Sequence, residues 1–334
     1  MSGGGGAGGD DAAAGARARR EAFAAEHLSW RLVSDARTLA SLLETLEAWR
    51  AEGRLSAIAV DFEFTMNPDP EKRRLRLVQI GVGGSGSELP EEQHLVDAQA
   101  VEARSLQRLF GDPALTKVMH TPSGDYEQWL RYLGRDADWE GAFRAVYDPS
   151  ARLFLLRDEL LRRRLAYEHP LLACAEATAG RHVGLTTLVE AVLGFTLAKR
   201  HQQARWGAPV LGHGALRYAA LDVAVLPYVR AAVLALEEEL RALGLEADAR
   251  AREVHEDELA YAIELASIPV PRRKQLRGGL GRARYVARKR GGSHLVARDV
   301  NDVELRYLRR LHDRARGAER LELADGVVTL VGGG

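Results

Sequence analysis

The stretch "AIAVDFEF", residues 57–64, reads as a strand that should be buried on at least one face, yet it carries two acids one residue apart. Side chains alternate across a strand, so Asp61 and Glu63 share a face with Ala59, while Ile58, Val60, Phe62 and Phe64 line the other and pack against helices. The two carboxylates then point the same way, about 7 Å apart along the strand. Alone, such a pair reads as a solvated face. A chemical reading requires further acids brought to the same place from elsewhere in the chain.

Around this strand the pattern is that of an α/β fold. "WRLV" (30–33) is a short strand. "SDARTLASLLETLEAWRAEG" (34–53) is a helix that Ser34 or Asp35 can cap, with Leu39, Leu42, Leu43 and Leu46 on one side and Gly53 at its end. "LRLVQIGV" (75–82) and "HLVDA" (94–98) are further strands, reached through a polar loop and a glycine-rich loop. Then "VEARSLQRLFG", "TKVMH", a helix from Asp125 to Leu133 and "AFRAVYD" alternate helix and strand, and from about 149 to 236 the pattern is mainly helical. Strands that first meander and then alternate with helices predict a mixed sheet with helices packed on it. Residues 1–26, Gly/Ala-rich with few large apolar side chains, are expected to be a disordered tail, and residues 241–334 a smaller accessory domain. The remaining 27–240 form the main domain.

Two more stretches supply acids. In "KVMHTPSGDYEQWL" (117–130) a strand ends at His120, a turn follows, and Asp125 stands where a helix begins; its structural alternative is a simple N-cap. In "LRYAALDVAVLPYV" (216–229) Tyr218 and Asp222 are four apart on a helix and project from one side. Carboxylates converging from a strand, a helix start and a second helix make an oxygen-rich site for hard divalent cations. Paired Mg²⁺ or Mn²⁺ ions in such a site catalyse in-line attack at phosphorus. Without cations the cluster is costly to desolvate and repels itself.

These residues resemble the ribonuclease D-like branch of the DEDD 3′-to-5′ exonucleases, in the version with a tyrosine in the third motif. Asp61 and Glu63 in "VDFEF" match the first motif, Asp125 the second, and Tyr218 with Asp222 in "YAALDV" the third. The likeness spans about residues 28–235 and includes the connector "VGLTTLVEAVLGFTLAKRHQQARWGAPV" (183–210). It implies a ribonuclease H-like mixed sheet flanked by helices, and hydrolysis of nucleotides from a 3′ end. It further implies that Asp61 bridges two metal ions, that Glu63 and Asp222 complete one ion's site, that Asp125 serves the other, and that Tyr218 orients the attacking water. The region around Glu63, Phe64 among it, would meet the terminal 3′-hydroxyl. The chain departs from the family at Phe62, usually a small residue, at Ala208 before Pro209, usually arginine, and at Ala215, usually glutamine. Loss of that arginine bears on phosphate contact, which Lys199, Arg200, Arg205 and Lys72–Arg74 are available to supply.

His120 is read as structural rather than as a metal ligand, because the acids already offer hard donors; it adjoins the proposed substrate channel. Trp206 is read as packing. Between Arg272 and Arg290 stand nine Lys or Arg and no acid, with Arg272, Arg273, Lys274 and Arg277 at the front of the strip, suited to phosphate contact without sequence preference. "GGLG" (278–281) is too short to define a backbone clamp. Two helices and a hairpin about Asp325-Gly326 at the C-terminus follow a winged-helix-like element order.

Composition bounds the rest. Lys+Arg and Asp+Glu are both 47, so any basic surface must come from local segregation. The one cysteine, Cys174, excludes a disulfide within the chain and a cysteine zinc site. No membrane span and no secretory leader is expected, which points to a cytoplasmic protein without a predicted protein partner. The function expected is two-metal 3′-to-5′ hydrolysis of single-stranded RNA ends to nucleoside 5′-monophosphates. The alternatives are a DNA exonuclease on the same site or a silent nucleic-acid-binding adaptor.

Overall fold

The computed structural model describes residues 7–65, 67, 72–134, 136–139, 141–178, 183–198, 201, 204–245, 248–267, 296–298, 319–324 and 327–332. Six strands form the central sheet: β1 (Trp30–Val33), β2 (Ala57–Phe64), β3 (Leu75–Val82), β4 (Glu92–Asp97), β5 (Thr116–Val118) and β6 (Val146–Tyr147), in the order β1-β4-β3-β2-β5-β6. β3 runs antiparallel to β2 and β4, and the β1–β4, β2–β5 and β5–β6 pairs are parallel. This is the mixed sheet that the order of strand and helix patterns predicts. β3, buried along its whole length, reads as a nearly unbroken apolar run because helices cover both of its faces.

Helix α1 is Ala7–His27, α2 Ala36–Ala51, α3 Gln107–Phe110, α4 Ser123–Leu133, α5 Pro149–Arg163, α6 Pro170–Ala177, α7 Leu185–Leu193, α8 His213–Ala224, α9 Leu226–Arg241 and α10 Asp248–Ser267. Asp35 caps α2 by accepting from the Thr38 N–H at 2.9 Å, and Leu39, Leu42, Leu43 and Leu46 are buried as their spacing requires. One face of β2 (Ile58, Val60, Phe62) shares a core with α2 and α4, where Phe62, Phe110, Trp129 and Phe143 form an aromatic cluster. The other face carries Ala59, Asp61 and Glu63 and lies under α8. That helix comes close because its sheet side is built from Ala215, Ala219 and Ala220, all buried. Gly81 on β3 completes the approach, since a Cβ there would stand 3.0 Å from the Val223 carbonyl oxygen.

Two expectations, on the tail and on the accessory domain, are corrected. The tail is helical over Ala7–His27: Phe23 and Ala24 are buried, and the Phe23 ring lies 5.3 Å from those of Phe195 and Tyr228. An alanine-rich sequence has high helix propensity, and two apolar side chains suffice to dock it. Among the described residues one stretch, His213–Arg241, is long and apolar enough to cross a membrane; it consists of α8 and α9 and is largely buried within the fold. Finally, α10 is not detached from the main domain. Leu259 and Ala262 join the core beside α4, and the Tyr126 hydroxyl meets His255 Nδ1 at 2.7 Å.

At the C-terminus β8 (Glu319–Ala324) pairs antiparallel with β9 (Val327–Gly332), the expected hairpin, and β7 (Val296–Arg298) adds a third strand on β9. The second helix of the winged-helix order, at 301–317, lies outside the described residues.

Candidate metal centre

Asp61, Glu63 and Asp222 converge. One carboxylate oxygen from each lies within 4.8 Å of the others. β2 supplies the first two on its α8-facing side, and α8 supplies the third from a position where Asp222 is only 5% exposed. Asp222 Oδ1 is buried with no hydrogen-bond partner, and the carboxylate interacts with the Tyr218 hydroxyl one turn earlier on α8. A carboxylate oxygen left bare in the interior is unfavourable unless a cation fills its coordination. The all-oxygen donor set suits a hard divalent ion rather than zinc or copper.

Asp125 enters from the first turn of α4 and is not an N-cap. α4 begins at Ser123 after Pro122, no side chain caps it, and the Asp125 N–H bonds the Pro122 carbonyl at 2.9 Å. The carboxylate stands outside the tightest group of three but close enough for its charge to act on Glu63 and for that of Asp61 to act on it. The turn before α4 is held in an unusual shape: Thr121, a β-branched residue, has φ +52°, and its N–H donates to Asp148 Oδ2 at 3.2 Å. Asp148 also caps α5 through the Ser150 N–H at 2.9 Å. It thereby joins the segment bearing Asp125 to the helical side of the domain. The sequence signal for Asp148, an acid directly before Pro149 at a helix start, was available but silent about this second role.

The electrostatics are those of an overcrowded anionic cluster. Burial raises the Asp61 pKa to about 6. Burial first, then the charges of Asp61, Asp222 and Asp125, raise that of Glu63 to about 10. Asp125 and Asp222 are likewise pushed up, by burial and then by Asp61. Burial, then Asp222, raises the Tyr218 hydroxyl above its usual range. All four carboxyls are shifted toward the protonated form because burial and like charge both disfavour their ionisation, a cost that a bound cation would offset.

The remaining candidates are dispersed. Phe64 packs nearly parallel to Phe62, ring centroids 6.3 Å apart, at the edge of the aromatic core on the opposite face from the acids. His120 is engaged at both ring nitrogens, Nε2 with the Val183 carbonyl at 2.7 Å and Nδ1 with Thr121 Oγ1 at 3.4 Å, so it ties β5 to the segment before α7. Arg205 is exposed on the loop before α8, and its neighbour Trp206 is buried against Leu77 and Leu95. Lys199, Arg200, Arg272, Arg273, Lys274 and Arg277 lie outside the described residues. Sequence reasoning missed Gln79, which is wholly buried on β3 directly across from Asp61.

The family model for "3'-5' exonuclease" matches residues 30–236. Comparison with curated protein sequences finds no match. Among solved structures, Escherichia coli RNase D, described as an exoribonuclease involved in structured RNA processing, is 23% identical at a TM-score of 0.50; the match covers 72% of this chain and 52% of that one. The chain therefore spans about half the length of that protein. Brucella melitensis NrnC bound to pGG is 20% identical over 73% of this chain and 96% of that chain, TM-score 0.47. The Aedes aegypti Nibbler EXO domain is 20% identical over 67% and 93%, TM-score 0.45. With a family match over most of the main domain and more than half of its length, the chain belongs to the 3′-5′ exonuclease family.

Proposed function

We propose that the protein is a divalent-metal-dependent 3′-to-5′ exonuclease that releases nucleoside 5′-monophosphates from single-stranded RNA ends. The observation that carries this reading is the meeting of Asp61, Glu63 and Asp222 within 4.8 Å, with a bare, buried Asp222 oxygen among them. Asp61, Glu63 and Asp222 would hold Mg²⁺ or Mn²⁺, with Asp125 serving a second ion. Bound ions would supply a more acidic water and offset charge on the phosphate. The chain's own contribution is placement. Tyr218, whose hydroxyl is engaged with Asp222, keeps an oxygen lone pair with which to align a water for attack in line with the departing 3′ oxygen. The hydrolysis adds water across the terminal phosphodiester, leaving a 5′-phosphate on the released nucleotide and a new 3′-hydroxyl on the chain.

Arg205 and the basic strip 272–290 are the proposed backbone contacts, and their charges would make binding salt-dependent and indifferent to sequence. RNA is preferred to DNA by the likeness to ribonuclease D. The silent adaptor is disfavoured because every acid and the tyrosine are retained.

A time course with 5′-labelled and 3′-labelled RNA and DNA oligonucleotides in Mn²⁺ tests the proposal. The expected result is immediate loss of the 3′ label as mononucleotide and a ladder shrinking from the 3′ end on 5′-labelled RNA, faster than on DNA. Internal cleavage, 5′-end release, or binding without turnover under every divalent ion would refute it, and faster loss from DNA would transfer the assignment to DNA.

A further inference from the structure

The α8-facing side of β3 presents Leu77, Gln79 and Gly81 in register with Glu63, Asp61 and Ala59 of β2. Leu77 belongs to the apolar cluster beneath α8, and Gly81 makes room for the Val223 carbonyl. Between them Gln79 is fully buried, and neither its Nε2 nor its Oε1 has a well-formed hydrogen bond within the protein. Its side chain shares the sheet face of Asp61 and Glu63 and stands directly across the strand pair from Asp61. A leucine or methionine would fill the same space without burying an amide that lacks partners. In stability terms alone glutamine is the poorer choice here.

We infer that Gln79 is a positioning residue of the metal centre: its buried amide, without a partner of its own and on the sheet face that carries Asp61 and Glu63, is set to donate to these carboxylates and to fix the direction in which they present their oxygens. Residues behind metal ligands act in this way, and their loss commonly weakens metal affinity 10–100-fold. Strand register makes the placement rigid, since Gln79 and Asp61 are directly paired across β3 and β2. The inference rests on the metal-dependent reading of the cluster.

The test compares the parent with Gln79→Met and Gln79→Leu by two measurements: melting in EDTA and Mn²⁺ titration by calorimetry. Both variants are expected to melt in EDTA at or above the parent's temperature, to bind Mn²⁺ about tenfold or more weakly, and to lower kcat with little change in KM for an oligonucleotide. Mn²⁺ affinity within about twofold of the parent's would overturn the inference, because a residue behind a ligand should cost more than that. Melting lowered by more than about 5 °C in EDTA would also overturn it by making Gln79 a structural residue. Absence of Mn²⁺ binding by the parent itself would instead sink the metal-centre reading, which separates the two failures.

Discussion

Asp61→Asn should stabilise the protein when no metal is present and destabilise it, relative to the parent, when metal is added. In the metal-free protein Asp61 must be ionised at pH 7.5 against a pKa raised from 3.8 to about 6. That difference of about two units corresponds to roughly 3 kcal/mol, an upper figure because solvent and side-chain relaxation reduce it. Asparagine keeps the shape and the oxygen that accepts from the Phe62 backbone, but removes the charge that acts on Glu63, Asp125 and Asp222. A gain of about 1–3 kcal/mol raises the melting temperature of a domain this size by roughly 2–10 °C. Metal at 100 times its Kd adds about 2.7 kcal/mol to the parent and little to the variant. Differential scanning fluorimetry in EDTA and in a Mn²⁺ series should therefore show the two melting curves exchange order. A variant that melts below the parent in EDTA, or gains as much from Mn²⁺, would refute the claim that these acids are held together for a cation.

Other outcomes follow from the same geometry. Tyr218→Phe should leave Mn²⁺ binding within a few-fold of the parent and lower kcat by about 10–100-fold, measured on 3′-labelled RNA, since it removes one contact to the attacking water rather than a metal ligand. Metal-free stability should fall as pH rises. Asp61 and Glu63 have native pKa values of about 6 and about 10, above their unfolded values, so the native state binds more protons between those limits. Their contribution is complete below about pH 4 and is lost as pH climbs through the native values; equilibrium urea melts in EDTA at stepped pH measure it, and Mn²⁺ should flatten the slope. Leu259→Ala on α10 should cost about 2–4 kcal/mol and lower kcat, because α10 buttresses the helix that carries Asp125; chemical denaturation with a parallel activity assay checks both.

The local elements and the acids were legible because each is written in a short period. Alternation in 57–64 places Asp61 and Glu63 on one face, and the i, i+4 spacing places Tyr218 with Asp222. What escaped the sequence depends on contacts distant along the chain. α1 docks through Phe23 onto Phe195 and Tyr228, and nothing local to an alanine-rich tail announces that surface. Gln79 looks like one polar residue in a buried strand until β3 is set beside β2. Asp148 reads as an ordinary cap until Thr121 is found hanging from it. The expectation that Asp125 begins its helix missed by two residues, since Ser123 opens α4, and that shift is what turns a capping acid into one free to face the other three.

The most direct test of the central claim is a crystal structure of the protein in Mn²⁺, with the ions located by anomalous scattering. The account predicts manganese held between Asp61, Glu63 and Asp222, with a second ion shared by Asp61 and Asp125. Anomalous peaks elsewhere on the protein, with these four carboxylates bare at saturating Mn²⁺, would contradict it.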